Sequence, residues 1–183
     1  MIRLRPDVTL ASIGPEHAEA MYRWVSEPYL SRNIGLSHQP SLAKTLAWIA
    51  HARQDSQVVA RAMQLNGRHV GNVIIDRVDP HLQTGRLSVY IGEPAARGQG
   101  VGLTGIYLGL REAFRVLVLH KICLTVHAQN GPAINTYLRL GFRLEGNLRD
   151  EFMLGNQRVD LIYMGLLAGE FRQLEVDQAS AAV

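Results

Sequence analysis

Residues 97–105 read RGQGVGLTG, with four glycines in nine positions. A strand-like run, RLSVYIG, precedes them, and an apolar helical pattern follows without a break. In that pattern Leu103, Ile106, Tyr107, Leu110, Phe114 and Leu117 follow the i, i+3, i+4, i+7 rule, while Arg111, Glu112 and Arg115 fall on the opposite face. Glycines where a strand turns into a helix let backbone amides approach an anion, and the helix dipole favours negative charge at the same spot. Gly105 and Gly109 lie inside the helical pattern, where each costs about 1 kcal/mol of helix propensity. A helix pressed closely onto a sheet accounts for keeping them.

The flanking periodicity supplies the sheet. QVVARAMQL and HVGNVIID surround Asn66-Gly67, a two-residue hairpin signal because both central positions take positive φ. With RLSVYIG this gives three antiparallel strands in series. Upstream, IRLRP and VTLASI alternate like strands. GPEHAEAMYRWV then reads as a helix with Pro15 near its start and Ala18, Met21 and Val25 on one face. SRNIGLSHQP reads as a loop, and SLAKTLAWIAHARQD as a helix capped by Ser41 with a Leu42, Leu46, Ile49 stripe. Downstream come the strand KICLTVHA and a short helix, GPAINTYLRLG, with Pro132 near its start and Gly141 as its stop. FRLEGNLRDEFML and QRVDLIYMGLL form a closing hairpin about Gly155-Asn156. The expected fold is a single α/β (α+β) domain over residues 1–170, followed by a frayed tail, 171–183.

Composition narrows the functions. The net charge is +3, with no dense basic run, which argues against nucleic acid. Among 19 basic residues only Lys44 and Lys121 are lysines, so the positive charge is mostly guanidinium, which can fork onto phosphates. Cys123 is the single cysteine; it excludes an internal disulfide and reads as an inert buried thiol. Seven histidines occur without a metal-ligand spacing such as HExxH, so no metal is expected. There is no apolar signal core and no run of eighteen apolar residues, so the expectation is a cytoplasmic protein without a membrane partner.

Three ligands could use the glycine loop. Gly100, Gly102 and Gly105 match the dinucleotide fingerprint G-x-G-x-x-G, but EPAARGQ separates them from the strand and CLTVHAQN lacks the ribose-binding acid. A nucleotide-triphosphate loop needs a lysine, and Gly102 is followed by Leu103-Thr104. The remaining reading is Arg97-x-x-Gly100-x-Gly102 as a diphosphate nest. Its amides would come from Gly98, Gln99, Gly100, Val101, Gly102 and Leu103, and Arg97 would add a forked contact.

Residues 130–142, NGPAINTYLRLGF, complete a pattern. Arg97-x-x-Gly100-x-Gly102, followed by Asn130, Ala133, Tyr137, Gly141 and Phe142, resembles the GNAT superfamily of acetyl-CoA-dependent N-acetyltransferases, over residues 2 to 168. The closing hairpin resembles the branch holding ribosomal-protein N-terminal and aminosugar acetyltransferases. The resemblance implies a central, mixed, mostly antiparallel sheet of about seven strands flanked by about four helices. It also implies acetyl-CoA as acetyl donor, with its diphosphate on the glycine loop and Asn130 among the cofactor residues. The backbone of Tyr90, Ile91 and Gly92 would hold the pantetheine arm and polarise the thioester.

Tyr137 takes the family's general-acid position, two helical turns after Asn130 and on the same face. The base stays open: Thr125 stands where some relatives carry glutamate, His127 shares its strand face, and Glu93 or a water chain could serve instead. Glu27 or Asp160 could hold an ammonium, and Arg32 a nucleotide-sugar phosphate. The acceptor is expected to be a protein N-terminus or a small amine such as an aminosugar, and a homodimer through the closing hairpin is compatible with the resemblance. The alternative is a non-catalytic acyl-CoA-binding sensor.

Overall fold

A computed structural model of the chain describes residues 2–36 and 39–180. Its strands are β1 (Val8–Ser12), β2 (Val59–Leu65), β3 (Arg68–Asp79), β4 (Thr84–Ile91), β5 (Lys121–His127), β6 (Arg143–Leu154) and β7 (Gln157–Leu167). They form one seven-stranded sheet in the order β1-β2-β3-β4-β5-β7-β6. Every pairing is antiparallel except β4 with β5, as a mixed, mostly antiparallel sheet requires. Asn66 and Gly67 turn β2 into β3 at φ 51° and 75°, the positive angles a two-residue hairpin demands.

Among the described residues there are six α-helices rather than about four: α1 (Ala18–Val25), α2 (Pro28–Asn33), α3 (Leu42–Gln54), α4 (Val101–Arg115), α5 (Gly131–Arg139) and α6 (Ala168–Ser180). Two were hidden in segments without a clear apolar stripe. The expected loop SRNIGLSHQP contains the second half of α2, which starts on Pro28 and buries only Leu30; Ser37 and His38 lie outside the described residues. The expected frayed tail is helical through Ser180, and residues 181–183 lie outside the described residues. Phe171 anchors α6 against the rings of Phe114 and Tyr107, at 5.3 and 5.4 Å, while Glu175 receives a 2.6 Å ion pair from Arg115.

The IRLRP segment is not a strand. The Arg5 amide instead donates to Thr104 Oγ1 (3.1 Å), which seats this segment against α4. The stripe expected on α3 is also shifted: Leu42 and Leu46 are exposed, whereas Ile49 and Ala52 are buried, beneath the Ser41 cap on the Lys44 amide. Cys123 is half-buried rather than buried.

The two sheet faces carry separate cores. One packs α4 through Leu103, Ile106 and Leu110 onto Val73, Ile75 and Leu87 and includes Tyr137 of α5. The other packs α1 and α3 through Trp24 and Ile49 onto Ala60. Burying a Leu, Ile or Val side chain stabilises by about 1.5–3 kcal/mol relative to exposure. Close approach explains the helical glycines: a Cβ on Gly109 would sit 2.7 Å from Val73 Cγ1, and one on Gly105 would strike the Met63 side chain.

Candidate active site

The site begins where the sheet comes apart. β4 and β5 pair over only Thr84–Arg86 against Lys121–Cys123. Beyond Arg86, β4 continues to pair with β3 and β5 continues to pair with β7, so each keeps a free edge toward the other. Free strand edges present N–H and C=O groups available to an extended ligand. The gap opens into a cavity of about 400 Å³ that also reaches the start of α4 and one face of α5.

The glycine loop shapes the second wall. Gly98 and Gly100 adopt φ 72° and 77°, which turns the chain into α4 with Gly100 as its N-cap. No heavy atom lies within 4 Å of a Cβ built on Gly98, and on Gly100 only Arg5 Cδ does, at 3.9 Å. Gly102 has no positive φ, and its Cβ would make only ordinary contact with Ile91, 3.7 Å away. Packing therefore does not require these glycines; the first two serve backbone conformation, and all three keep the space beside the helix start open. The opening amides of α4 have no intrahelical acceptor, since the first i→i−4 bond runs from the Thr104 amide to the Gly100 carbonyl at 3.1 Å. The described residues of the cavity lining include Arg97 and Arg139 but no Asp or Glu. Free amides, a helix dipole and two guanidinium groups suit a diphosphate.

Arg97 is more committed than its sequence position implied. Its Nε and Nη2 donate to the carbonyls of Ile91 and Gly92, at 3.0 and 2.9 Å, which ties the loop to the end of β4. Its guanidinium also lies over the Tyr29 ring at 4.8 Å, linking α2 to the cleft. Gln99 is held by its side chain on the Ala95 carbonyl (2.5 Å), and its own carbonyl accepts from Arg5 Nη1 (3.0 Å). Arg5 beside the loop carried no sequence signal, because its role depends on residues about a hundred positions away.

Tyr90, Ile91, Arg97, Gly98, Gly100, Gly102, Leu103, Asn130 and Tyr137 all line this one cavity. Gly92, Gln99, Val101 and His127 do not. A Cβ on Gly92 would overlap the Trp24 ring, so that glycine admits an indole rather than a ligand. Val101 is fully buried. Asn130 caps α5, its Oδ1 accepting from the Ala133 amide at 3.2 Å. That cap aims α5 so that Tyr137 reaches the cavity, its ring edge-on to Phe142 at 5.7 Å. Burial pushes the Tyr137 hydroxyl up to about 12, so it holds its proton at neutral pH.

None of the base candidates is among the residues that line the cavity with Tyr137. His127 Nε2 is 2.9 Å from Asn33 Oδ1 and its ring stacks on Phe152, at 5.7 Å. Its Nδ1 is buried without a partner, and burial lowers its pKa. Thr125 is exposed on β5. Glu93 lies 3.8 Å from Arg23, and Glu27 4.0 Å from Arg97. Asp160 is engaged in the closing hairpin: it accepts from Asn147 Nδ2 (2.8 Å) and the Asp150 amide (3.0 Å), and the Asn147 bond foremost lowers its pKa. Arg32 is exposed at the end of α2. Among the described residues no Asp, Glu or His lines the cavity, and no three or more His, Cys, Asp or Glu form a cluster able to hold a metal. Nor is any helix among them long and apolar enough to cross a membrane.

A splayed parallel strand pair beside a glycine-built helix start, with a protonated tyrosine lining the same cavity, suits an extended ligand that ends in a diphosphate. Comparison with known proteins agrees. The acetyltransferase (GNAT) domain family matches residues 7–143, and the chain belongs to that family. Spermidine N(1)-acetyltransferase of Escherichia coli K12 is 25% identical over 174 residues, covering 93% of this chain and 88% of that protein. The SPbeta prophage-derived uncharacterized N-acetyltransferase YokL of Bacillus subtilis is 28% identical over 168 residues, covering 90% and 92%. The crystal structure of spermidine N-acetyltransferase from Vibrio cholerae in complex with CoA and spermine superposes with a TM-score of 0.86 at 20% identity, covering 91% of this chain and 99% of that one. The chain is thus an acetyl-CoA-dependent N-acetyltransferase of the GNAT type. These relatives lend no support to the ribosomal-protein or aminosugar branch.

Proposed function

We propose that the chain moves the acetyl group of acetyl-CoA directly to a primary amine, with both substrates bound at once. The acceptor class extends from a protein N-terminus to small amines, including aminosugars and, by the names of its relatives, polyamines. The parted β4–β5 seam beside the open start of α4 is the observation that carries this reading.

Acetyl-CoA supplies an activated acyl carbon. The α4 amides hold the diphosphate, and the free edge of β4 through Val89–Ile91 accepts the pantetheine arm and donates to the thioester oxygen. The amine nitrogen forms the C–N bond, the C–S bond breaks, and Tyr137 places a proton on the departing sulfur. With no carboxylate or imidazole among the described residues lining the cavity, the amine arrives already neutral; its surplus proton leaves to water, and water returns one to Tyr137. Thiol release from acetyl-CoA, measured with and without amines, tests the reading. Amine-dependent release that Tyr137→Phe abolishes while CoA still binds supports it; tight CoA binding with no turnover on any amine replaces it with the sensor alternative.

Self-association belongs to the same proposal. Leu144, Leu148 and Met153 are exposed along β6, in the closing hairpin. A dodecameric structure of the Vibrio cholerae enzyme has a TM-score of 0.78 with this chain.

A further inference from the structure

A second cavity, about 280 Å³, opens on the other face of the sheet, between α1, α3 and the outward side chains of β3 and β4. Ile34 and Tyr90 line both this cavity and the donor cleft, so the two meet at the free edge of β4. Its walls are largely apolar, with Met21, Val25, Trp48 and Ile74 prominent. Its volume falls just under the roughly 300–1,000 Å³ of pockets for drug-sized ligands, so it suits a compact body.

Its charges speak against a polycation. Asp76 is the one carboxylate among the described lining residues, and both its oxygens are taken by Arg86, at 2.8 and 2.7 Å. Lys44 lines the opposite wall, with its ammonium on the Gln39 carbonyl at 3.2 Å. An ammonium buried without a counter-charge is strongly disfavoured, so each extra positive charge on an acceptor counts against entry. A monoamine that sheds its proton before attack meets no such penalty.

Tyr90 stands at the junction. Asn72, fully buried, donates from Nδ2 to the Tyr90 hydroxyl at 2.5 Å, and its Oδ1 lies 2.8 Å from His69 Nε2. Because Asn72 supplies the donor in that bond, the Tyr90 proton is left to point elsewhere. Burial keeps that hydroxyl protonated, with its pKa pushed up to about 12.

We propose that this cavity is the acceptor pocket and that its substrate is a small primary amine carrying one positive charge in solution and one apolar body, such as an arylalkylamine. The inference rests on the acetyltransfer reading and names its substrate class. The amine presents its nitrogen past Tyr90 to the acyl carbon; the amide and the free thiol are the only products.

Steady-state kinetics at saturating acetyl-CoA with phenethylamine, spermidine, glucosamine and a short peptide test it. Phenethylamine is expected to exceed spermidine in kcat/KM by about tenfold or more, as one unpaired charge would cost. Thr45→Phe, which fills the pocket from the outer helix, is expected to raise the phenethylamine KM about tenfold while the acetyl-CoA KM holds. Arg86→Met frees Asp76 and is expected to improve a diamine about tenfold relative to phenethylamine. Preference of the unmodified protein for spermidine, glucosamine or the peptide overturns the proposal, as does a Thr45→Phe protein with unchanged phenethylamine KM. Calorimetric titration of phenethylamine into the CoA complex separates the two levels. Binding without turnover sinks acetyltransfer and keeps the pocket; turnover of other amines with no phenethylamine binding sinks the pocket and keeps acetyltransfer.

Discussion

The two cavities that meet at β4 are made of different material. The donor cleft is mostly main chain: a free strand edge, two glycines at positive φ and the opening amides of α4. The pocket on the α1–α3 face is mostly side chain: an indole, aliphatic groups and a closed Asp76–Arg86 ion pair. A main-chain site constrains sequence only where a side chain would intrude, and so leaves a glycine signature. A side-chain site can be retuned one residue at a time and leaves none. Substitutions should therefore divide cleanly, those in the cleft altering donor binding or chemistry and those in the pocket altering acceptor choice.

Tyr137 is the one cleft side chain given a chemical task, so it offers the strongest attempt to break this contrast. Tyr137→Phe keeps the ring against Phe142 and removes only the hydroxyl. A lost proton donor is expected to lower kcat by about a hundredfold or more, with the acetyl-CoA KM little changed. The same hydroxyl should register in stability. Its pKa is raised from about 10 when unfolded to about 12 when folded, so its contribution is intact below pH 10 and is lost as pH climbs through 12. Two units correspond to about 3 kcal/mol. Thermal melts across pH 9–12 should fall less steeply for Tyr137→Phe than for the unmodified protein. Equal slopes would mean that the ring is less enclosed than the structure shows.

The glycines sharpen the contrast by separating fold from ligand. Gly100→Ala places a Cβ at φ 77°, costing about 1–2 kcal/mol. Gly102→Ala meets neither a positive φ nor a clash, its Cβ only touching Ile91 at 3.7 Å. Gly102 and Ile91 both line the cleft, so a methyl added there is expected to lower CoA affinity about tenfold while the melting temperature holds or rises slightly. Isothermal titration with CoA beside a thermal melt reads both quantities. Unchanged affinity for Gly102→Ala would reduce the loop to a structural turn.

The same division explains what could be read from residues alone. The hairpin at Asn66-Gly67 and the buried stripe of α4 follow from local periodicity and turn chemistry, whereas joining Tyr137 to the loop of Arg97, Gly100 and Gly102 took the resemblance to the acetyltransferase family. α2 escaped because a six-residue helix burying one leucine has no stripe to show. α6 escaped because its anchor is an aromatic contact with α4, nearly sixty residues earlier in sequence. Arg97 was legible as a cleft residue but not as the clasp on Ile91 and Gly92, since a guanidinium forks as readily onto carbonyls as onto phosphate. Asn72 is held by His69 on its own strand but reaches Tyr90 across to β4, and that cross-strand support has no sequence pattern.

His127 marks the weakest expected effect and the finest test of the contrast. It shares a strand with the cleft, yet it lies outside the cavity lining, bonded to Asn33 and stacked on Phe152. As a base it would add an inflection near its own pKa, below about 6.5, to the pH profile of acceptor kcat/KM. As a brace for α2 it would not. Without a base in the cleft the neutral amine fraction controls the rate, so kcat/KM should climb about tenfold per pH unit from 7 to 9 for an alkylamine of pKa about 10.4. His127→Ala should follow the same curve, displaced downward by about threefold or less as Asn33 loses its partner. Rescue by His127→Gln, which can still donate to Asn33, would fit a brace. An inflection that disappears only in His127→Ala and His127→Gln would make the imidazole a proton acceptor, and chemistry would then have to extend from the main-chain cleft into the side chains around it.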